Sequence, residues 1–537
     1  MQDLHSILTV SDLVIGFRED IPVVAGVSFN LSAGKTLALV GESGSGKSMT
    51  ALSLLKLLPG TAQLRSGFIK WNPVQGDPPV ELNKLPERNF RQLRSKEIGM
   101  IFQEPLTALN PTKRIGNQLA ESILGSLGVT VKKEINKISV DWLERVKLPD
   151  PARILAAYPH ELSGGQRQRI LIAMAMLAEP KLLIADEPTT ALDTVTEAEI
   201  IRLLKDLTQE KNTALLFISH DLAIVRHLAD EVILLKAGQV VERGSTEELF
   251  AHPKEEYTKE LIRLSPRLSF TRSPELTDHQ TSSSNSIELT EPALIVNGVS
   301  ISYPLKTNWL GQPVAYLQAV KNVSFQLEKG EFVALVGESG CGKSSLMRGI
   351  AGLQPISSGE VLPVSCQVQI VFQDPFSSLN PVLSIGSVIA EVVANRHLDW
   401  SKEQCRNRTG ELLANVELPA DEFYDRLPNE LSGGQRQRVA IARALAAEPE
   451  VLICDEAVSA LDAALQSSVM ELLQRIRLKL SVGILFISHD LALVSTAADR
   501  IFVMAAGKIV ERATPAKLLR KPESAASEKL LSAILPR

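Results

Sequence analysis

Short apolar runs alternate with amphipathic stretches along the chain, and most of the runs end in glycine or polar residues. TLALVG at 36–41, LLIADE at 182–187 and LLFISH at 215–220 are apolar without alternation. Such runs predict strands that are buried on both faces of a sheet. ILIAMAML at 170–177 and TALSLLKLL at 50–58 predict helices. Strands alternating with helices predict an α/β fold.

The same landmarks occur twice in the same order, which indicates two homologous halves. The matched segments are GESGSGKS at 41–48 and GESGCGKS at 337–344, IFQEPLTALNP at 101–111 and VFQDPFSSLNP at 371–381, LSGGQRQR at 162–169 and 431–438, LLIADE at 182–187 and VLICDE at 451–456, and LLFISHDLAIV at 215–225 and ILFISHDLALV at 484–494. Residues 265–292 are rich in Ser, Thr and Pro, which is typical of a flexible linker. We therefore expect domains at 1–264 and 293–537.

The two halves differ most between the glycine-rich segment and the first shared glutamine. Gly41 and Gln103 are 62 positions apart, whereas Gly337 and Gln373 are 36 apart, so the second half lacks 26 residues. The longer interval predicts a strand, a loop, a short charged helix and a strand. The shorter interval leaves room for a tight strand pair only.

Composition narrows the class of protein. The net charge of −5 and the pI near 6.0 give no general attraction to nucleic acid or to an anionic membrane. The apolar runs are shorter than the roughly 18 residues that a membrane-spanning helix needs, and Asp3 and His5 interrupt any signal-peptide pattern. We expect a cytoplasmic protein. The cysteines do not suggest a disulfide, zinc or iron–sulfur site, because they are widely spaced; they are Cys341, Cys366, Cys405 and Cys454.

Both glycine-rich segments match GxxxxGK[ST], the phosphate-binding loop, and each lies between a predicted strand and a predicted helix. Its backbone N–H groups wrap phosphates, its lysine reaches their charge, and the hydroxyl after the lysine ligates Mg²⁺. The residues predicted to bind nucleotide in this way are Gly41, Ser43, Gly44, Gly46, Lys47 and Ser48, and Gly337, Ser339, Gly340, Gly342, Lys343 and Ser344. Ser48 and Ser344 are also predicted metal ligands.

Two carboxylates end each LLIADE-type strand, and a buried strand has no packing reason to end in that way. Asp186 and Asp455 are placed to hold Mg²⁺ through water. Glu187 and Glu456 are placed to orient and deprotonate an attacking water molecule. The sequence therefore predicts ATP hydrolysis in both halves.

Other polar residues end neighbouring strands. His220 and His489 follow apolar FIS segments, and beside the carboxylates they are predicted to contact the γ-phosphate. Gln103 and Gln373 also end strands and are predicted to sense Mg²⁺ or the attacking water. We include all four among the catalytic residues, and both glutamines among the metal ligands.

The LSGGQ segments each precede a predicted helix. Serine followed by two glycines presents a hydroxyl and unpaired N–H groups to an anion. A simple helix cap would explain one occurrence, but an identical duplicate favours function. The predicted phosphate contacts are Ser163, Gly164, Gly165 and Gln166, and Ser432, Gly433, Gly434 and Gln435.

With these motifs assembled, both halves resemble the nucleotide-binding domains of ATP-binding cassette (ABC) transporters. The resemblance implies two tandem P-loop NTPase domains, each with a RecA-like core, an antiparallel β-subdomain and a helical subdomain. It also implies that LSGGQ of one half binds the ATP held by the other, so that Ser163 serves Lys343 and Ser432 serves Lys47. Finally, it makes Phe17 and Tyr303 the aromatic residues that stack on adenine.

GESGSGKSMTALSLLKLLP and HPKEEYTKELI are similar to ATPase subunits of peptide and nickel importers, here fused as in oligopeptide, glutathione and microcin C systems. This resemblance implies two permeases, a periplasmic solute-binding protein, and a peripheral position on the cytoplasmic face of the bacterial inner membrane. It implies that nucleic acid is not a partner and that no homodimer is required. The second half departs from the family pattern in DEAVSALD and in PESAASEKLL, which lacks the Tyr257–Thr258 pair of the first half.

Three alternatives stay open on the sequence alone. The chain resembles nickel or metallophore importer ATPases as well as peptide importer ATPases. A soluble ATPase with two cassettes that acts on nucleic acid is a second alternative, although the long charged helical linker or zinc cysteines of such proteins are not found in this sequence. A regulatory ATPase without a transport role is the third.

Overall fold

The computed structural model describes residues 5–17, 22–190, 192–265, 292–307, 313–362, 368–374, 378–459 and 461–534. These residues form two compact units, one in each half of the sequence. Apart from its end residues 265 and 292, the predicted linker lies outside the described ranges. The boundaries at 264 and 293 stay predictions.

The first half contains a mainly parallel sheet and a separate antiparallel sheet. Its strands are β1 (Ser6–Phe17), β2 (Val24–Ser32), β3 (Thr36–Val40), β4 (Ala62–Trp71), β5 (Val80–Glu81), β6 (Ile98–Ile101), β7 (Leu182–Asp186), β8 (Ala214–Ser219), β9 (Glu231–Lys236) and β10 (Gln239–Ser245). The larger sheet has the order β10-β9-β3-β8-β7-β6, in which only β10 is antiparallel to its neighbour. The antiparallel sheet has the order β2-β1-β4-β5.

Helices follow most strands of the larger sheet, as the alternating pattern predicts. They are α1 (Lys47–Leu54), α2 (Glu87–Lys96), α3 (Pro105–Ala108), α4 (Ile115–Leu127), α5 (Lys132–Arg145), α6 (Pro151–Ala156), α7 (Gly164–Met176), α8 (Thr194–Glu210), α9 (Leu222–Leu228), α10 (Thr246–Ala251) and α11 (Glu256–Leu264). Helices α4, α5 and α6 pack together as a helical subdomain between β6 and α7. The interval before Gln103 contains β4, β5 and α2, in agreement with the prediction of a strand, a loop and a short charged helix.

The second half repeats this architecture. Its strands are β11 (Pro292–Thr307), β12 (Pro313–Glu328), β13 (Phe332–Val336), β14 (Ser358–Leu362), β15 (Val368–Val371), β16 (Val451–Asp455), β17 (Gly483–Ser488), β18 (Arg500–Ala505) and β19 (Lys508–Ala513). The larger sheet has the order β15-β16-β17-β13-β18-β19, and the antiparallel sheet has the order β12-β11-β14. The prediction of a tight strand pair in the shorter interval is wrong, because β14 pairs with β11 and β15 pairs with β16, in different sheets. The predicted fold class, with RecA-like, antiparallel and helical parts in each half, is confirmed.

The helices of the second half follow the same plan. They are α12 (Lys343–Ile350), α13 (Ile385–Arg396), α14 (Lys402–Asn415), α15 (Ala420–Phe423), α16 (Gly433–Leu445), α17 (Ala463–Leu480), α18 (Leu491–Ser495), α19 (Pro515–Arg520) and α20 (Ala525–Ile534). Within the described ranges, no helix combines the length and the apolar character needed to cross a membrane.

The last helix of each half is held by a carboxylate on the antiparallel edge strand of the larger sheet. Thr258 of α11 donates a hydrogen bond to Glu242 of β10, and two backbone N–H groups bind the same carboxylate at 2.9 and 3.1 Å. In the second half, Ser527 donates to Glu511, which also accepts two backbone N–H bonds at 2.9 Å. The second tail therefore lacks the Tyr-Thr pair but keeps the same docking interaction, because serine supplies the hydroxyl.

Candidate nucleotide sites

The phosphate loops connect a buried central strand to a helix, β3 to α1 and β13 to α12. Lys47 Nζ donates to the backbone carbonyls of Gly41 at 2.8 Å and Glu42 at 2.9 Å, so the side chain folds back along its own loop. Lys343 makes the corresponding two bonds at 2.7 and 3.0 Å. Both lysines are buried. Each ammonium group is thus held beside the loop backbone that would surround a phosphate.

The loop glycines are required by backbone geometry. Gly46 has φ +96° and a Cβ atom there would lie 2.7 Å from a backbone carbonyl oxygen, while at Gly342 the φ is +110° and the distance 2.4 Å. Gly44 and Gly340 face open space, with no atom within 4 Å of a Cβ position, and the adjoining Ser43 is exposed. The open space beside Gly44 and Gly340 leaves the loop backbone accessible to a phosphate.

The aspartate at the end of β7 lies close to the hydroxyl that follows the loop lysine. Ser48 Oγ donates to Asp186 Oδ1 at 3.0 Å. Burial raises the pKa of Asp186 to about 6, and the charge of Glu187 adds to this effect against the Ser48 hydrogen bond. Burial and the neighbouring glutamate likewise raise the pKa of Asp455 to about 6. A buried carboxylate beside a hydroxyl forms a hard-oxygen site of the kind Mg²⁺ prefers.

Glu187 lies at the centre of the predicted catalytic residues of the first half. Its Oε2 accepts hydrogen bonds from Gln103 Nε2 at 3.1 Å and Thr190 Oγ1 at 3.1 Å, and it lies 3.3 Å from Nδ1 of His220. Burial opposes ionisation, but the hydrogen bond and charge of His220, together with Lys47, hold the pKa of Glu187 below its ordinary value. The same contact raises the pKa of His220 against the effect of burial.

The second half has the same cluster. Gln373 Nε2 donates to Glu456 Oε2 at 3.0 Å, and Nδ1 of His489 lies 3.4 Å from Oε1 of the same carboxylate. Burial again opposes ionisation, but His489 and Lys343 hold the pKa of Glu456 low. Glu187 and Glu456 both have left-handed backbone conformations, with φ of +43° and +47°. In each half, therefore, an ionised glutamate contacts the predicted glutamine and histidine.

The LSGGQ segments begin helices α7 and α16, as predicted. Ser163 Oγ accepts from the N–H of Gln166 at 3.3 Å, and the Gln166 side chain accepts from the Ser163 N–H at 3.0 Å. Ser432 and Gln435 form the same reciprocal cap, and both serines are exposed. These contacts satisfy the capping interpretation and leave the serines accessible on the surface.

One glycine of the motif also has a packing role. A Cβ atom at Gly165 would lie 2.4 Å from Cγ2 of Thr196 in α8, and one at Gly434 would lie 3.0 Å from Leu465 in α17. Close helix packing therefore explains part of the repeated motif, alongside any contact with phosphate.

The two predicted adenine-stacking residues have different surroundings. Phe17 ends β1 and is 37% exposed. Tyr303 lies in β11, is half-buried, and donates its hydroxyl hydrogen to Ser345 Oγ at 3.2 Å, on the helix that follows the phosphate loop. Their roles in adenine binding stay predictions.

Sequence reasoning missed Thr190 and Ser459. Thr190 donates to the Glu187 carboxylate, whereas Ser459 Oγ donates to the backbone carbonyl of Glu456 at 3.0 Å. The signal was the hydroxyl residue three positions after each glutamate, in DEPTT and DEAVS. The glutamates are thus held by slightly different contacts in the two halves.

Comparison with known proteins gives the family. A family model described as ABC transporter matches residues 24–190 and 320–459. The chain belongs to the ABC transporter family. The protein called glutathione import ATP-binding protein GsiA in Salmonella paratyphi A is 38% identical over 99% of this ABC chain and 90% of its own length. Its counterpart in Shigella sonnei is also 38% identical, with the same coverage.

A solved structure extends the comparison to the fold. A crystal structure of an archaeal ribosome recycling factor in complex with a ribosomal stalk protein matches 92% of this ABC chain and 87% of its own, with a TM-score of 0.56 and 21% identity. At this identity the likeness concerns the fold alone. As a member of the ABC transporter family, the chain is an ATP-binding protein that hydrolyses ATP to drive transport.

Proposed function

We propose that this protein binds and hydrolyses two MgATP molecules to power import of peptides or related small solutes, including glutathione-like ones. The observation that carries the proposal is the cluster around Glu187, which recurs around Glu456, in a chain 38% identical along 99% of its length to glutathione import ATP-binding proteins. The similarity spans both halves and the region between them.

Each protein group has an assigned task in hydrolysis. Glu187 and Glu456 are ionised and accept a proton from the attacking water. Gln103 and Gln373 orient that water, while His220 and His489 hold the glutamates and contact the γ-phosphate. Lys47 and Lys343 neutralise phosphate charge.

The donor set fits Mg²⁺ bound together with nucleotide. Ser48 donates a hydrogen bond to Asp186, and Gln103 donates one to Glu187, the next residue in the sequence. The corresponding proposed ligands of the second half are Ser344, Asp455 and Gln373, of which Gln373 donates to Glu456. Within the described ranges, no three His, Cys, Asp or Glu side chains form a metal cluster, so the remaining ligands would be phosphate oxygens and water. The ion would neutralise charge on the transferred phosphoryl group.

We further propose that the two sites are composite. The phosphate loop with Lys47 pairs with Ser432, Gly433, Gly434 and Gln435, and the loop with Lys343 pairs with Ser163, Gly164, Gly165 and Gln166. Exposed serines at the starts of α7 and α16 support this arrangement, because each helix end offers donors to an anion outside its own cap. Since one chain carries both halves, no second copy is needed.

The proposed partners are two permease subunits, through which the protein is held at the cytoplasmic face of the inner membrane, with a periplasmic solute-binding protein acting indirectly. A cleft of about 400 Å³ in the first half supports the permease contact. It is lined by Leu57, Phe102, Gly125, Leu171 and Met174. Its walls are thus formed by the end of the strand before Gln103, by the helical subdomain and by α7. A partner helix bound there would contact the elements that carry Gln103 and the LSGGQ segment.

Gly125→Arg tests this contact, because the new side chain would block the cleft. A Cβ atom at Gly125 meets no atom within 4 Å, so the new side chain starts in open space, and circular dichroism should confirm that the variant is folded. We expect co-purification with the permeases to fall at least tenfold, while ATP binding by the isolated chain is unchanged. Leu124→Arg is the matched control, because Leu124 is half exposed on the same helix but does not line the cleft. Equal co-purification of Gly125→Arg and the parent protein would refute the assignment.

The solute class is tested in the complex reconstituted with its permeases and binding protein. We expect ATP hydrolysis to be stimulated several-fold by binding protein loaded with glutathione or a short peptide. Stimulation by nickel or a nickel chelate alone would instead support the metallophore alternative. Stimulation by RNA or DNA, lost steeply with salt, would support the nucleic-acid alternative.

A further inference from the structure

A small polar cavity lies on the second half, between β12 and β19, away from the residues assigned to hydrolysis. Its volume is about 240 Å³. Three cationic side chains line it, Lys321, Lys508 and Arg512, with the polar side chains of Asn322 and Ser324 beside them. Among the described residues that line it, none carries a carboxylate.

The cations of the cavity are only partly neutralised. Arg512 donates to the backbone carbonyl of Ser324 and its guanidinium lies 5.7 Å from the ring of Phe502, so its position is set by uncharged groups. Within the described part of the chain, neither Lys321 nor Lys508 forms an ion pair. Lys508 and Arg512 are exposed and Lys321 is partly buried, so the three side chains leave a net positive charge in the cavity.

The first half lacks this charge, although its backbone is equivalent. Ala25 and Gln239 occupy the positions of Lys321 and Lys508. Only the arginine is shared, and there Arg243 Nη2 pairs with Glu231 Oε2 at 3.1 Å. The first half therefore offers a matched surface without the two lysines.

Two carboxylates of the first half are also missing from the second. Arg500 stands at the position of Glu231, and it pairs with Glu331 at 2.8 Å rather than with the arginine of the cavity. Asp12, which accepts a hydrogen bond from Ser28 at 3.3 Å, is replaced by Gly298. The second half therefore has more cations and fewer anions around this cavity than the first half has at the equivalent positions.

We propose that this cavity binds a compact polyanion that carries phosphate groups. Lysine and arginine donate charge-assisted hydrogen bonds to phosphate oxygens, and the amide of Asn322 and the hydroxyl of Ser324 add neutral donors. The volume accommodates a phosphorylated small molecule or the headgroup of an anionic lipid, and these two share the chemistry that the cavity recognises.

The cavity is linked to the second phosphate loop by a short backbone path. The N–H of Lys321 donates to the carbonyl of Gly507 at 2.8 Å, and the N–H of Gly507 donates to the carbonyl of Cys341 in the loop at 2.9 Å. Gly507 has φ +84°, and a Cβ atom there would lie 2.8 Å from the carbonyl oxygen of Ala319. A ligand bound to Lys321 would therefore lie two backbone hydrogen bonds from the loop that contains Lys343.

The test uses the full chain with Glu187→Gln and Glu456→Gln, saturated with tritiated ATP so that the phosphate loops are filled. Binding of ³²P-pyrophosphate is then measured by equilibrium dialysis at low ionic strength. We expect one bound pyrophosphate beyond the nucleotides, and at least a tenfold weaker affinity after Lys321→Ala with Lys508→Gln, which installs the first-half residues. Ala25→Lys with Gln239→Lys and Glu231→Gln is expected to create a second such site.

A second arm separates the two ligand sources, using vesicles of phosphatidylglycerol or of phosphatidylcholine. Co-sedimentation with the anionic vesicles alone, lost in the lysine variant, supports the site with a lipid headgroup as its ligand. Pyrophosphate binding that is lost in the variant supports a free phosphorylated ligand. If neither probe binds, or both bind equally to the variant, the inference is wrong. The inference rests on the proposed function only in assuming that ATP fills both phosphate loops. The tritium retained by the protein measures that occupancy separately from pyrophosphate binding.

Discussion

Replacing both Glu187 and Glu456 by glutamine is expected to lower the rate of ATP hydrolysis by at least about a hundredfold, the lower range for loss of a general base. Both glutamates are partly buried, and contact with a histidine lowers the pKa of each, so we expect each to be able to accept a proton from water. Glutamine keeps the size and the hydrogen-bonding oxygen of the side chain but accepts no proton. We therefore expect ATP to stay bound, because the lysines and loop N–H groups that hold the phosphates are unchanged.

Phosphate release and retained ATP should be measured on the same preparation. Glu248→Gln is a suitable control, because this exposed glutamate lies in α10, outside the glutamate cluster. Hydrolysis at the parent rate in the double glutamine variant would disprove the general-base role of both glutamates. Loss of ATP binding together with hydrolysis would instead show that the glutamates hold the nucleotide.

Pairing Lys47→Ala with Ser163→Arg is expected to remove both tightly bound nucleotides, whereas pairing Lys47→Ala with Ser432→Arg should leave one. In the proposed composite arrangement Lys47 and Ser432 would serve one ATP, and Lys343 and Ser163 would serve the other. Two changes in one site are non-additive, because a site that is already broken cannot lose the same contact twice. If residues 265–292 act as the flexible linker that the sequence predicts, they would favour closure within one chain by raising the effective concentration of one half around the other to roughly millimolar.

The measurement is the stoichiometry of trapped ATP in the background with Glu187→Gln and Glu456→Gln, on chains shown to be monomeric by mass. Hydrolysis rates are unsuitable, because cooperation between sites can abolish turnover in every variant. One ATP retained by the Ser163→Arg pairing and none by the Ser432→Arg pairing would mean that the halves do not cross.

Much of each site follows from local sequence. GESGSGKS and LLIADE specify a strand, a loop of defined spacing and a helix, so Lys47, Ser48 and Asp186 are predictable from segments of fewer than ten residues. Their meeting is also predictable, because the carboxyl ends of parallel strands lie at one edge of a sheet. The Ser48–Asp186 and Gln103–Glu187 contacts at 3.0 and 3.1 Å agree with that expectation.

Features that depend on pairs of distant residues were not predictable in this way. The need for glycine at Gly165 comes from Thr196 on another helix. The docking of the second tail comes from a hydrogen bond between Ser527 of α20 and Glu511 of β19, with α19 between them in the chain. The cavity around Lys321 arises where two strands far apart in the chain lie side by side. Such contacts depend on tertiary packing, which carries no fixed spacing in the sequence.

The left-handed backbone at Glu187 and Glu456 affects how the thermal stability of this protein can evolve. An L-residue in this conformation costs about 1–3 kcal/mol of folding free energy, and here the cost is borne twice. At both positions the residue that would give the highest stability differs from the residue that the proposed hydrolysis requires. Selection for heat resistance alone would favour glycine or asparagine at these positions. A protein evolved under that pressure would gain melting temperature but would lose the carboxylate proposed to activate water, and with it ATP hydrolysis.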